Sequence, residues 1–242
     1  MIPAVRTRGL VPALAVLLAF APASAQPQSA LAEYEELTGR PKPVPDIPPA
    51  LREIITEASA ERLVIRGLGG AAIPVEIDWM EPLRFDSFGD GRFVGFEYGG
   101  VEEFGYVLVD RAAAGEAAII GTGQIPAFSP DGRWFAAVEM SGSGWGNLNG
   151  VALWEVLPDR AARRLFSDIF RMEQDWRIDG WARPDCVDFS SVADDWRAPE
   201  GADWEAALRG APRLRYMIDM SSGLSLRIAG ERPGCAPEER DG

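Results

Sequence analysis

Two short segments 41 residues apart carry the same turn. Asp90-Gly91-Arg92-Phe93 recurs as Asp131-Gly132-Arg133-Trp134, and the second copy sits inside the run AFSPDGRWFAAVEMSGSGWGNLNGVALWEV, residues 127–156. A Ser-Pro-Asp-Gly sequence between apolar runs is a hairpin turn: proline presets φ, aspartate bonds amides ahead of it, and glycine accepts the positive φ. On either side, 125–128 and 134–140 are β-prone and largely apolar. A glycine-rich stretch, 141–150, then leads to an alternating run at 151–157, so the unit reads strand, turn, strand, loop, strand.

An offset of about 40 residues with four strands per unit is the period of propeller blades. A first copy is predicted at 82–86, 93–98, 105–110 and 117–121, and the second ends at 163–166. A third runs through 177–181, 187–190, 214–220 and 224–229, with an insertion of about twenty residues in its middle. The FSPDGRWFAAVE segment resembles the WD40-like repeats of TolB-type periplasmic β-propeller proteins, most clearly over residues 125–157. The resemblance implies an all-β, propeller-like array of about three four-stranded antiparallel blades. An antiparallel sandwich or open sheet with one such hairpin stays open as the alternative.

Residues 1–25 read as a signal peptide. Arg6 and Arg8 precede an apolar run at 10–21, and Ala23-Ser24-Ala25 offers a cleavage site before Gln26. The apolar run is too short for a membrane anchor, so a periplasmic or secreted protein is expected. Removing it takes two arginines and no acid, so the formal charge of −13 becomes −15. Such a domain does not hold nucleic acid through phosphates, and its charge favours cationic partners or simply a solvated surface.

Residues 26–61 read as a helical arm with a proline-rich linker, 62–230 as the β domain and 231–242 as a tail. A helix is expected from Ser29 to Leu37. The segment 40–49 holds five prolines, and a second helix is expected after Pro49 from the spacing of Leu51, Ile54, Ile55 and Ala58. The arm either packs on the β domain or serves as a partner-binding tail. Strands at 62–66 and 74–79 bring the total to about fourteen, short of a closed four-bladed ring. That leaves edges that a second chain could pair. Cys186 and Cys235 are the two cysteines. The exported address favours a disulfide, whereas placement at distant strand ends favours two independent thiols.

Loops joining the second and third strands of each blade emerge on one face. They group 99–104, 141–150 and 191–212, and loops on a rigid scaffold carry function. The candidate binding residues are Glu102, Glu103, Phe104, Trp145, Asn147, Asn149, Trp196 and Trp204. Trp145 is either an exposed contact residue or a cap on the sheet end. Trp196 and Trp204 fit packing of the insertion, and Trp134, Trp154, Trp176 and Trp181 fit the core. Catalytic signals are absent: there is no histidine, hence no Ser-His or Cys-His arrangement, and no nucleophile elbow or phosphate loop. No cofactor or metal is expected. Asp86 and Asp90 lack the repeated oxygen donors of a calcium loop, and acid pairs for glycoside hydrolysis are too abundant here to single one out. The expected function is an interaction or scaffold module for a protein or envelope component, with carbohydrate binding or carboxylate-dependent carbohydrate chemistry as the alternative.

Overall fold

The computed structural model describes residues 30–100, 104–139, 148–168, 173–229 and Cys235. It is an all-β, propeller-like array of four antiparallel meanders. Sheet I holds β1 (Ile55–Ala58), β2 (Arg62–Arg66) and β3 (Ala72–Glu76). Sheet II holds β4 (Glu81–Phe88), β5 (Phe93–Gly99), β6 (Phe104–Asp110) and β7 (Ile119–Gly121). Sheet III holds β8 (Ala127–Phe128), β9 (Trp134–Val138), β10 (Gly150–Val156) and β11 (Ala161–Asp168). Sheet IV holds β12 (Glu173–Arg183), β13 (Cys186–Ala193), β14 (Arg213–Asp219) and β15 (Arg227–Ile228). Sheets II, III and IV correspond to the three copies of the repeat.

The repeated turn closes as its residues dictate. Gly132 has φ 68° and its amide donates to the Ser129 carbonyl at 2.9 Å. The Ser129 hydroxyl donates to Asp131 at 2.7 Å and accepts from the Trp134 amide at 3.0 Å. The first copy lacks the serine and proline and makes the reversal with three consecutive left-handed residues, Gly89, Asp90 and Gly91.

The middle sheets are buried on both faces, and residue alternation sorts their side chains between two neighbours. On β5 and β6, Val94, Phe96, Tyr98, Val107 and Val109 pack with Leu63, Ile65, Ile73 and Val75 of sheet I. The intervening Phe93, Tyr106 and Leu108 pack with Phe135, Ala152 and Trp154 of sheet III. Sheet III repeats the device, turning Ala136, Val138, Val151 and Leu153 towards Trp176, Val187, Phe189 and Ile218 of sheet IV. Trp154 and Trp176 are thus core, and Trp134 and Trp181 pack against it half-buried.

The outer faces of the end sheets carry several charged side chains among apolar ones such as Val64 and Val192. Sheet I presents Arg62, Arg66 and Glu76, with Arg62 paired to Glu57 at 2.6 Å. Sheet IV presents Asp179, Asp188 and Arg215, with Ser190 donating to Asp179 at 2.7 Å. No hydrophobic cluster among the described residues joins sheet IV to sheet I.

On this outer face Cys186 and Cys235 form a disulfide, with Cα atoms 5.7 Å apart. The Cys235 amide donates to Asp188 at 3.2 Å. The argument from distant strand ends therefore fails, because Cys235 lies back beside the start of β13. Cross-linking positions 49 residues apart contributes roughly 2–4 kcal/mol.

The arm packs on the body. Helix α1 (Ala30–Thr38) buries Tyr34, whose hydroxyl donates to Glu81 at 2.6 Å, and Arg40 pairs with the same carboxylate at 2.7 Å. Lys42 is buried, with its ammonium on the Ala60 carbonyl. The expected second helix is not formed. Pro49–Leu51 makes one 3-10 turn and the chain then enters β1. Ile54, Ile55 and Thr56 are β-branched and stiff at χ1, and pairing β1 with β2 buries Ile55 beside Leu51 in the sheet I/II core.

Gly95 supplies the sharpest packing test. A Cβ there lies 2.3 Å from the Tyr106 hydroxyl, which is itself held by Asp86 at 3.1 Å. Gly95→Ala is expected to cost about 1–3 kcal/mol through overpacking, read as a lowered urea midpoint, and removing the hydroxyl in Gly95→Ala/Tyr106→Phe is expected to recover only part of it, because the ring carbons stay in contact.

Candidate functional site

Each four-stranded sheet has one turn between its second and third strands, and the described candidate residues fall at these turns. Phe104 opens β6 opposite Gly99 and is 73% exposed. Asn149 precedes β10 with φ 50°. Its amide and that of Leu148 donate to the buried Glu139 carboxylate at 3.3 and 2.6 Å, so Glu139 fixes the entry to β10. In sheet IV the insertion forms α2 (Trp204–Arg209), capped by Asp203, whose carboxylate accepts from the Ala206 amide at 2.7 Å. Trp204 is 51% exposed, and its ring meets that of Trp196 at 5.7 Å. The structure thus brings Trp196 and Trp204 together, and it places Phe104 and Asn149 at the equivalent turns of sheets II and III. Glu102, Glu103, Trp145 and Asn147 lie outside the described residues, as does the proposed signal peptide.

In sequence the two tryptophans are flanked by the exposed acids Asp194, Asp195, Asp203 and Glu205. Phe166 on β11 is a further exposed aromatic, at the end of sheet III where β10 begins. It is 45% exposed, covers Gly150, where a Cβ would meet the ring at 2.5 Å, and carries the Arg163 guanidinium at 5.4 Å. Its place in a strand hid it, because Phe166 pairs with Ala152 and its ring lies over the diagonal neighbour Gly150, a relation visible only from the register.

A second candidate lies where the repeated turns of adjacent sheets meet. A cleft of about 460 Å³ between sheets II and III has Phe88, Phe93, Phe128 and Val156 as its apolar wall and Asp90, Arg92 and Ser129 among its polar rim. Phe128 stacks on Phe88 at 5.1 Å and tilts against Phe93 at 5.1 Å. Arg92 is held by both nitrogens against the buried Asp110 at 2.9 Å, which fixes the rim. An equivalent cleft of about 410 Å³ between sheets III and IV is lined by Asp131, Arg133, Trp134, Arg183 and Asp185. The sequence displayed these residues as repeat markers, so their convergence across sheets was not legible.

Comparison with known proteins adds little at the level of family. No protein-family model matches the chain, and no curated protein matches it. Among solved structures it is similar to the periplasmic gluconolactonase PpgL of Pseudomonas aeruginosa, at 14% identity over 71% of this chain and 49% of that one, with a TM-score of 0.36. TolB from Acinetobacter baumannii is similar at 16% identity, over 82% of this chain and 45% of that one, with a TM-score of 0.30. A candidate 6-phosphogluconolactonase from Bacteroides fragilis is similar at 12% identity, over 71% and 51%, with a TM-score of 0.35. The chain spans about half the length of these proteins. At these values the fold rests on the strand order and packing described above.

Asp131 gives this end of the molecule a pH signature. Burial pushes its carboxyl up, but hydrogen bonds from Ser129 and the Arg133 amide, together with the Arg133 charge, hold it below its ordinary value of 3.8. A depressed pKa stabilises the fold above the unfolded-state value, and that contribution is lost as pH falls through the folded-state value. Asp131 is exposed, so solvent screening limits the effect to under about 1 kcal/mol. Asp131→Ala is expected to lower the urea midpoint at pH 7, and the gap from the parent protein is expected to narrow as pH falls through the ordinary carboxylate range and to close once the Asp131 carboxyl of the folded protein is protonated.

Proposed function

We propose that this chain is an exported, propeller-like interaction scaffold that holds a protein or envelope component through the turns between its second and third strands. The observation that carries the reading is the exposure of large aromatic rings at these turns, Phe104 and Trp204 foremost, beside the acids of the insertion. Aromatic anchors in a polar surround are the make-up of energetic hot spots. The formal charge of −13 points to a cationic partner surface, which charge steers into contact. The chain has no histidine, and the described residues of these turns offer hydrophobic and carboxylate contacts.

Export is part of the proposal and rests on the leader-like residues 1–25. No helix among the described residues is long and apolar enough to cross a membrane. The mature chain is expected to begin at Gln26 when recovered from the cell envelope fraction, and recovery of uncleaved chain from the cytoplasm would remove this element.

The test of the binding face is crosslinking of the mature chain in its own envelope extract, followed by affinity measurement with the partner so identified. Phe104→Ala with Trp204→Ala is expected to weaken that affinity by at least tenfold, and higher salt is expected to weaken the parent complex. Unchanged affinity in the double variant would place the binding face elsewhere. A partner bound as tightly at 0.5 M salt as at 0.05 M would remove the acidic recognition.

A second reading, carbohydrate binding, is favoured by one observation: the cleft between sheets II and III joins a wall of phenylalanine rings to carboxylate, guanidinium and hydroxyl groups. Sugar rings present apolar faces and hydroxyl edges that such a surface meets. Calorimetric titration with cell-wall and plant saccharides, repeated on Asp90→Ala, separates it from the first reading.

A further inference from the structure

Two interior polar atoms among the described residues have no hydrogen-bond partner, Trp176 Nε1 and Ser191 Oγ. Their residues are 2% and 0% exposed. The strand register sets them against each other. Gln174 pairs with Val192 and Arg177 with Ser190, so Asp175 and Trp176 together oppose the single residue Ser191 across a bulge. Both face sheet III. Trp176 belongs to the III/IV core and meets the Tyr216 ring at 4.7 Å, and Ser191 lies two residues from Phe189 of the same core.

The bulge is locked from the opposite face. Arg213 pairs with the Asp175 carboxylate at 2.7 Å, donates to the Ser190 hydroxyl at 2.7 Å and carbonyl at 3.1 Å, and also reaches the Asp175 carbonyl. Arg177 pairs with the same Asp175 carboxylate at 2.5 Å. These contacts hold Asp175 at φ 48°, a left-handed conformation that a non-glycine residue adopts only when its surroundings over-determine it. The backbone at this point is therefore not free to shift and supply the two inner atoms with partners.

An indole N–H only donates, whereas a hydroxyl both donates and accepts. Buried polar atoms of this kind are satisfied by protein or by ordered water, and an unsatisfied one bears its full desolvation cost. One uncharged oxygen that accepts from the indole and exchanges a hydrogen bond with the hydroxyl meets both needs. A charged ligand does not suit this face, whose neighbours Val138, Val151, Val187 and Ile218 are apolar, while the ion pairs lie on the other side of the sheet. We propose that Trp176 Nε1 and Ser191 Oγ bind a single internal water molecule, which closes the interface between sheets III and IV over the β12 bulge. Interior waters of this type typically join two to four polar groups that the chain leaves unpaired.

A high-resolution crystal structure of the full chain is expected to show one water within about 2.7–3.2 Å of both atoms. A direct bond between the indole nitrogen and the hydroxyl, or separate bonds from each to other protein groups, would overturn the proposal. In solution, oxygen-17 relaxation dispersion counts long-lived waters. Ser191→Ala and Trp176→Phe are each expected to lose one, and the double variant to lose that same one rather than two. An unchanged count in variants that keep the parent circular-dichroism spectrum would overturn it equally. Should the variants fail to fold, the crystal structure of the parent chain decides.

Discussion

Burial of sheets II and III on both faces is the constraint on which the rest of the molecule depends. A strand has two sides, and here each side must satisfy a different neighbour. Phe93 and Val94, adjacent in sequence, belong to two separate cores, and so do Phe135 and Ala136. A one-residue slip of β5 or β9 would exchange the two sets and spoil both interfaces at once. Register is therefore specified twice over, which explains how sheets built on short elements such as the two-residue β8 hold their order. It also explains the small residues in these strands. Gly95 and Ala137 leave room for Tyr106 and the ring cluster of Phe128, Phe135 and Trp154, whose neighbours stack 4.9–5.0 Å apart.

This packing made much of the architecture legible in the sequence. A strand buried on both faces reads as a continuous apolar run, and FVGFEY, YVLVD, WFAAV and VALW are such runs, separated by turn chemistry at a fixed offset. The segment after Pro49 misled because Leu51, Ile54, Ile55 and Ala58 satisfy helical spacing. Periodicity alone cannot separate a short amphipathic helix from a 3-10 turn running into a strand. What decides is β2, sixty-odd positions into the chain, whose open edge takes Ile55 opposite Ile65. The disulfide was ambiguous for a related reason: strand direction fixes where β15 ends, but not where the chain goes after it.

The candidate face was legible only as topology. Counting strands located the second-to-third turns, and loop composition supplied Phe104, Trp196 and Trp204. Phe166 and the clefts beside the repeated turns depend on which strand opposes which, information that a single chain carries only through its three-dimensional register. Asp90 and Arg92 show the difference plainly. As sequence they are the mark of a turn. In the structure Asp110 pins Arg92 and the aromatic wall of a cleft stands beside them, so the same residues that define the repeat also furnish a polar rim.

The end sheets bear on whether the array needs a partner to complete it. A closed ring would bury the outward faces of sheets I and IV against each other, and such faces would be expected to carry apolar side chains. They carry Arg62, Arg66, Glu76, Asp179, Asp188 and Arg215, interspersed with Val64, Val192 and Met217, and several of the polar groups are paired within their own sheet or with its immediate neighbours. In stacked repeat proteins, terminal units with a polar outer face end the stack and keep it in solution. The helical arm then covers part of sheets I and II through Tyr34, Arg40 and Lys42, and the disulfide secures Cys235 on sheet IV.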